Sequence, residues 1–102
     1  MARQVVWTFP ARSDLQAVLE RLAEESQQAA SKLFEDVEAA GASLMEFPER
    51  GRIVPELNRQ DRREIFVQKY RLVYGVEHDQ VIILRLIHGQ RDFRAAWRKK
   101  PK

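Results

Sequence analysis

Residues 70–87 read YRLVYGVEHDQVIILRLI, two runs of β-branched and aromatic residues hinged on the polar stretch Glu77-His78-Asp79-Gln80. Runs of that composition and length are strands, and a hinge of hairpin length makes them pair antiparallel. Side chains alternate across a strand, so Tyr70, Leu72, Tyr74 and Val76 line one face while Arg71, Val73 and Gly75 line the other. Arg71 therefore stands among apolar neighbours, an unusual place for a charge unless a site needs it. Upstream, Ile65 to Gln68 reads as a further strand, reached through the turn Glu49-Arg50-Gly51-Arg52 and the polar loop Asn58-Arg59-Gln60-Asp61.

Towards the N-terminus the period changes from two to 3.6. Leu15, Val18, Leu19, Leu22 and Ala23 share one face of a helix, with Ser13 as its expected N-cap and Gln16 completing a capping box. Ala30, Leu33, Phe34, Val37, Gly41 and Leu44 form a second stripe, opened by Ser26 and stopped by Pro48. Two amphipathic helices with almost no linker make an αα-hairpin. Val5, Val6 and Trp7 precede it as a short strand closed by Pro10. The expected fold is α+β, in the order β-α-α-β-β-β, with the helical hairpin packed on a small antiparallel sheet. The expected core joins Leu19, Leu22, Leu33 and Phe34 to Leu72, Tyr74, Ile83 and Leu86.

A chain of 102 residues has room for one core, so residues 1–102 read as a single domain with a basic tail at about 94–102. There is no Cys, which removes disulfides, thiol catalysis and thiolate metal sites together. No window approaches a membrane span and the N-terminal apolar run is too short for a signal peptide, so the expected location is cytoplasmic. The net charge of +3 hides an asymmetry: residues 1–50 hold five Lys/Arg and nine Asp/Glu, while residues 51–102 hold thirteen and six. A basic half of that kind suits an acidic partner, whether nucleic acid or protein.

Neither His78 nor His88 has ligand spacing around it, so no metal is expected. Ser13 reads as a cap, and Ser26, Ser31 and Ser43 lie in or beside helices, so no nucleophile stands out. The four glycines are scattered rather than gathered into a phosphate loop. No cofactor is expected. What remains is an arginine set, Arg62, Arg63, Arg71, Arg85 and Arg91, on or beside consecutive strands, where side chains could converge on one surface. Guanidinium groups bind phosphate and carboxylate bidentately and keep their charge. Arg85 reads as solvent-facing or paired with Glu56 or Glu64; Arg71 and Arg91 are the stronger functional candidates. Trp7 reads as a core residue, and Trp97 could stack on a base or fill a groove.

The series Pro48-x-x-Gly51-Arg52, Val54-Pro55-Glu56-Leu57, Arg63-Glu64, Tyr70-Arg71-Leu72-Val73-Tyr74 and His88-Gly89-x-Arg91-Asp92, together with Trp7-Thr8, resembles the RelE/ParE toxin superfamily of type II toxin–antitoxin systems. The resemblance implies a microRNase-like fold and a hetero-oligomer with a cognate antitoxin, ParD-like or related, through which operator DNA is bound. RelE-like members cleave mRNA on the ribosome; ParE-like members inhibit DNA gyrase, arrest growth and serve plasmid maintenance without nuclease activity. In the RelE-like alternative Arg71 and Arg91 match the two phosphate-contacting arginines, Arg62 stands for a catalytic lysine and His88 could act as acid or base. Trp97, six residues after Arg91, replaces the catalytic Tyr, and indole cannot exchange a proton there. Glu64 replaces a second catalytic lysine. The resemblance is thus closer to the ParE-like branch: no catalytic residues, with Arg63, Arg71, Arg91, Arg94, Trp97 and Arg98 as target- or partner-binding residues. A third alternative is an inactive module that works only with its antitoxin as a repressor.

Overall fold

The computed structural model describes residues 4–100. The order of elements is β1 (Gln4–Trp7), α1 (Phe9–Glu25), α2 (Gln27–Glu46), β2 (Arg52–Ile53), β3 (Arg63–Val67), β4 (Tyr70–Glu77), β5 (Gln80–His88) and α3 (Phe93–Arg98). The α+β expectation holds, with a helical hairpin on one face of a five-stranded sheet ordered β1-β5-β4-β3-β2. The sheet is mixed rather than wholly antiparallel, because β1 runs parallel to β5 while every other pair is antiparallel.

The caps explain where the helices begin. Thr8, not Ser13, opens α1: its hydroxyl oxygen accepts from the Ala11 N–H and its own O–H donates to the Ile83 carbonyl at 2.9 Å. Pro10 does not close a strand but lies in the first turn of α1, where its missing N–H costs nothing. Ser26 caps α2 as expected, accepting from the Ala29 N–H. The β4–β5 hairpin turns through His78 and Asp79, both with positive φ (51° and 61°), the two-residue geometry whose twist matches the strands.

The main core lies between hairpin and sheet. Leu33, Val37, Leu44, Leu72, Tyr74, Val81 and Ile83 are fully buried, and Leu15, Val18, Leu19 and Leu22 pack against them. Phe34 departs from expectation: it is 43% exposed on the outer side of α2. A register shift between Val73/Tyr74 and β5 leaves Leu84 as an extra residue there. The bulge is why Ile83 and Leu86, three apart, both face the helices.

A second, smaller core covers the opposite face of the sheet. Val54, Val73, Ile87, Phe93 and Ala96 are buried there, with Leu57 and Trp97 against them. Residues 93–98 are thus helix α3, docked through Phe93 and Ala96, rather than a free tail; Lys102 lies outside the described residues. No helix among the described residues is long and apolar enough to cross a membrane.

Candidate functional site

The outer face of the sheet carries a charged cluster around Arg71, the charge that alternation set among apolar neighbours. On β4, Arg71 points away from the hairpin, and on β3, Glu64 and Phe66 share that face. Val54 and Leu57 plug the small core, and the turn between them brings Glu56 over Arg71. Arg71 donates from Nε and Nη2 to Glu64 at 2.6 and 3.1 Å, and from Nη1 and Nη2 to Glu56 at 2.9 and 2.6 Å. Its guanidinium also lies 4.4 Å from the centre of the Phe93 ring. Arg52 holds the other side of Glu64 at 2.7 Å, so the Glu64 carboxylate, 1% exposed, sits between two cations.

Electrostatics follow this geometry. Hydrogen bonds from Arg71 hold the Glu56 carboxyl down at about 2, against the partial burial that pushes the other way. Those same bonds, with Glu64 adding to them, raise Arg71 above the ordinary arginine value. Arg71, which the RelE-like alternative would set against a phosphate, thus already gives four of its five N–H donors to two carboxylates of its own chain. A substrate phosphate would have to displace both, with Glu64 then buried without its main partner.

Arg62, Arg63 and His88 do not converge on Arg71. Arg62 lies by Gly75, bonded to the Asp61 carbonyl at 2.9 Å, with its Nε buried and unpartnered among the described residues. Gly75 is four residues along β4 from Arg71, or roughly 13 Å. Arg63 faces the hairpin side and donates to the Gly51 carbonyl at 2.8 Å. His88 is also on that side, edge-on to Tyr70 at 5.2 Å, with its Nδ1 accepting from the Gln90 N–H. Within the set that the RelE-like alternative needs, His88 thus lies on the opposite face of the sheet from Arg71.

Arg91 is exposed and forms no side-chain hydrogen bond among the described residues. Arg94 is exposed and reaches the Glu56 carbonyl at 3.3 Å. Trp97 stacks on Phe93 at 5.7 Å, so Phe93 stands between it and Arg71; Arg98 is exposed. Arg85 pairs with neither Glu56 nor Glu64. It binds Asp14 of α1 through Nε at 2.7 Å and Nη2 at 2.9 Å, while Nη1 reaches the carbonyls of Ala96, Trp97 and Lys99 at the end of α3. Asp14 also accepts from the Leu86 N–H at 2.9 Å, replacing a strand neighbour where β1 has ended.

The sequence series acquires physical reasons here. Gly51 donates to the Tyr74 hydroxyl at 2.9 Å, and a Cβ there would lie 2.6 Å from that oxygen, so no larger residue fits. Tyr74 in turn donates to the Pro48 carbonyl, tying the end of the hairpin to β4. Gly89 donates to the Lys69 carbonyl at 2.7 Å, and Asp92 caps α3.

Two helices whose apolar stripes exceed what a small sheet covers leave apolar surface on the hairpin; which residues form it was not legible in the sequence. Trp7, Leu15, Leu19, Phe34 and Val37 line an apolar groove of about 420 Å³ across the hairpin, flanked by Arg12, Glu20 and Glu38. The signal available was Phe34 itself, one residue off the centre of its helical stripe. Among the described residues no cluster of His, Asp and Glu could hold a metal ion.

Comparison with known proteins agrees with this architecture. Residues 5–93 match the model of the family described as ParE toxin of type II toxin–antitoxin system, parDE. The chain is 35% identical over 88 residues to Toxin RelE2 of Caulobacter vibrioides, covering 86% of this chain and 97% of that protein. It superposes on a structure of the chromosomal ParDE system of P. aeruginosa with a TM-score of 0.70, at 19% identity, over 83% of this chain and 94% of that one. A structure of the RelBE2 toxin–antitoxin complex of Mycobacterium tuberculosis matches with a TM-score of 0.60 at 27% identity, over 86% and 99%. With the family matched across the hairpin, the sheet and the Arg71 cluster, this chain belongs to the ParE toxins of type II toxin–antitoxin systems, within the RelE/ParE superfamily.

Proposed function

We propose that residues 1–102 act as one cytoplasmic toxin unit that inhibits DNA gyrase, cleaves no RNA and is neutralised by a cognate antitoxin. The observation that carries this reading is the state of Arg71. In a phosphate-cleaving site it would be a free cation beside a proton donor; here Glu56 and Glu64 occupy it, and Trp97 offers no exchangeable acid or base. The antitoxin reading is supported by the solved relatives, described as a ParDE system and a RelBE2 complex, and by the apolar hairpin groove. Apolar anchors of the antitoxin seat on Phe34, Leu19 and Leu15, and its carboxylates approach the basic half, so that operator DNA is met only through the antitoxin.

The likeness to Toxin RelE2 favours a second reading, ribosome-dependent mRNA cleavage. One purified protein separates the two. Inhibition of gyrase supercoiling with intact ribosome-bound mRNA is the expected result; cleavage of that mRNA without supercoiling inhibition would replace the first reading by the second. Expression that leaves growth unaffected would leave only the repressor role.

A further inference from the structure

A groove of about 420 Å³ runs between the start of α1 and the end of α3. Pro10, Leu84 and Trp97 give it an apolar lining, and Arg98, Lys99 and Lys100 give it a basic one. These three cations are exposed, and among the described residues none of them forms an ion pair. The groove shares no lining residue with the apolar groove on the hairpin.

Its walls are held in advance. Arg85 ties the three carbonyls of Ala96, Trp97 and Lys99 to Asp14 of α1, so both sides of the groove hang on one largely buried ion pair. A groove fixed in this way needs little ordering when a ligand arrives, which favours binding. An apolar lining beside unpaired cations is complementary to a segment that presents one apolar side chain flanked by carboxylates. A single-stranded nucleic acid instead follows cations distributed along several nucleotides with successive stacking rings. Here three consecutive cations flank one indole.

We propose that this groove docks an acidic segment of the toxin's protein target, with an aromatic or aliphatic anchor seated against Trp97. The inference rests on the reading of the chain as a toxin with a protein target, and it deepens that reading by assigning the contact surface. It leaves the hairpin groove to the antitoxin, so the two partners contact different side chains.

The test uses the full chain and a short fluorescein-labelled peptide of Asp and Glu around one central Phe. Binding should be seen by anisotropy and weaken at least about tenfold in Arg98→Glu/Lys99→Glu, in Trp97→Ala and with Phe replaced by Ser in the peptide. Both substituted cations are exposed, so the double variant keeps the test valid if Trp97→Ala folds poorly. In cells, the double variant should lose growth arrest, while the dissociation rate of its purified complex with the antitoxin, set by the hairpin groove, stays within about twofold of wild type. Peptide binding unaffected by either variant, absence of binding to wild type, displacement of the peptide by poly(U), or undiminished growth arrest would each overturn the proposal. A wild-type protein that spares gyrase would instead sink only the gyrase reading, because peptide binding and growth arrest are scored without gyrase.

Discussion

Arg71 makes four hydrogen bonds to two carboxylates, and the Glu64 carboxylate beneath it has no access to water. Removing one member of a buried pair strands the other, so Arg71→Ala should cost about 3–5 kcal/mol, read as a fall in the urea midpoint. Arg71→Met with Glu64→Leu should recover the part of that loss due to the stranded Glu64, because an apolar pair of similar volume has no desolvation to offset, while Glu56 stays without its partner. Glu56 adds a pH dependence. Its folded pKa lies near 2 against an ordinary 4.5, so its contribution is complete above about pH 5 and disappears as pH falls towards 2. That contribution is on the order of 2–3 kcal/mol, and Glu56→Gln should flatten the acid limb of a stability–pH curve by about that much. At this scale the sequence was informative about Arg71, because alternation alone put a charge on an apolar face. It was silent on Arg85 and Asp14, which meet across 71 residues of chain through a gap at the end of β1. No periodicity encodes such a meeting.

Within α2, two neighbours should respond oppositely. Leu33 is fully buried beneath the hairpin, so Leu33→Ala should cost about 2–5 kcal/mol. Phe34, 43% exposed, should cost under about 1 kcal/mol when changed to Ala, while antitoxin affinity falls markedly. Equal loss of stability in the two variants, by denaturant titration, would contradict this division. Helical periodicity identified the stripe but not its centre, and one residue is a rotation of about 100°. Helix limits were less legible than helix existence. Thr8 won the cap from Ser13 because its hydroxyl is also fixed by the Ile83 carbonyl of a distant strand. The short helix α3 was hidden in a basic run, although Asp92 as cap and Phe93, Ala96 and Trp97 at i, i+3 and i+4 were its signature. The parallel direction of β1 was not legible either, since strand composition does not encode the sense in which an edge strand joins a sheet.

Across the whole molecule the charge split becomes a spatial one. The hairpin lies in the acidic half, whereas residues 51–102 carry thirteen cations against six carboxylates. Glu56 and Glu64 are consumed by Arg71 and Arg52, which leaves Arg91 and Arg94 exposed at the start of α3 with no ion pair among the described residues. An antitoxin that anchors apolar residues in the hairpin groove and brings carboxylates to this basic half would be steered by those charges during encounter. Steering acts on the association rate, whereas desolvated apolar anchors set the dissociation rate. Arg91→Glu/Arg94→Glu should therefore slow stopped-flow association with the cognate antitoxin about tenfold or more at low salt, with dissociation changed by less than about threefold. Raising ionic strength towards 0.15 M should shrink the difference, because the screening length falls to about 8 Å. Arg94 also bonds the Glu56 carbonyl, so Arg91→Glu alone is the cleaner variant if the double one loses stability. A double variant with wild-type association rate and salt dependence would remove the basic half from the docking path and leave the hairpin groove as the whole recognition surface.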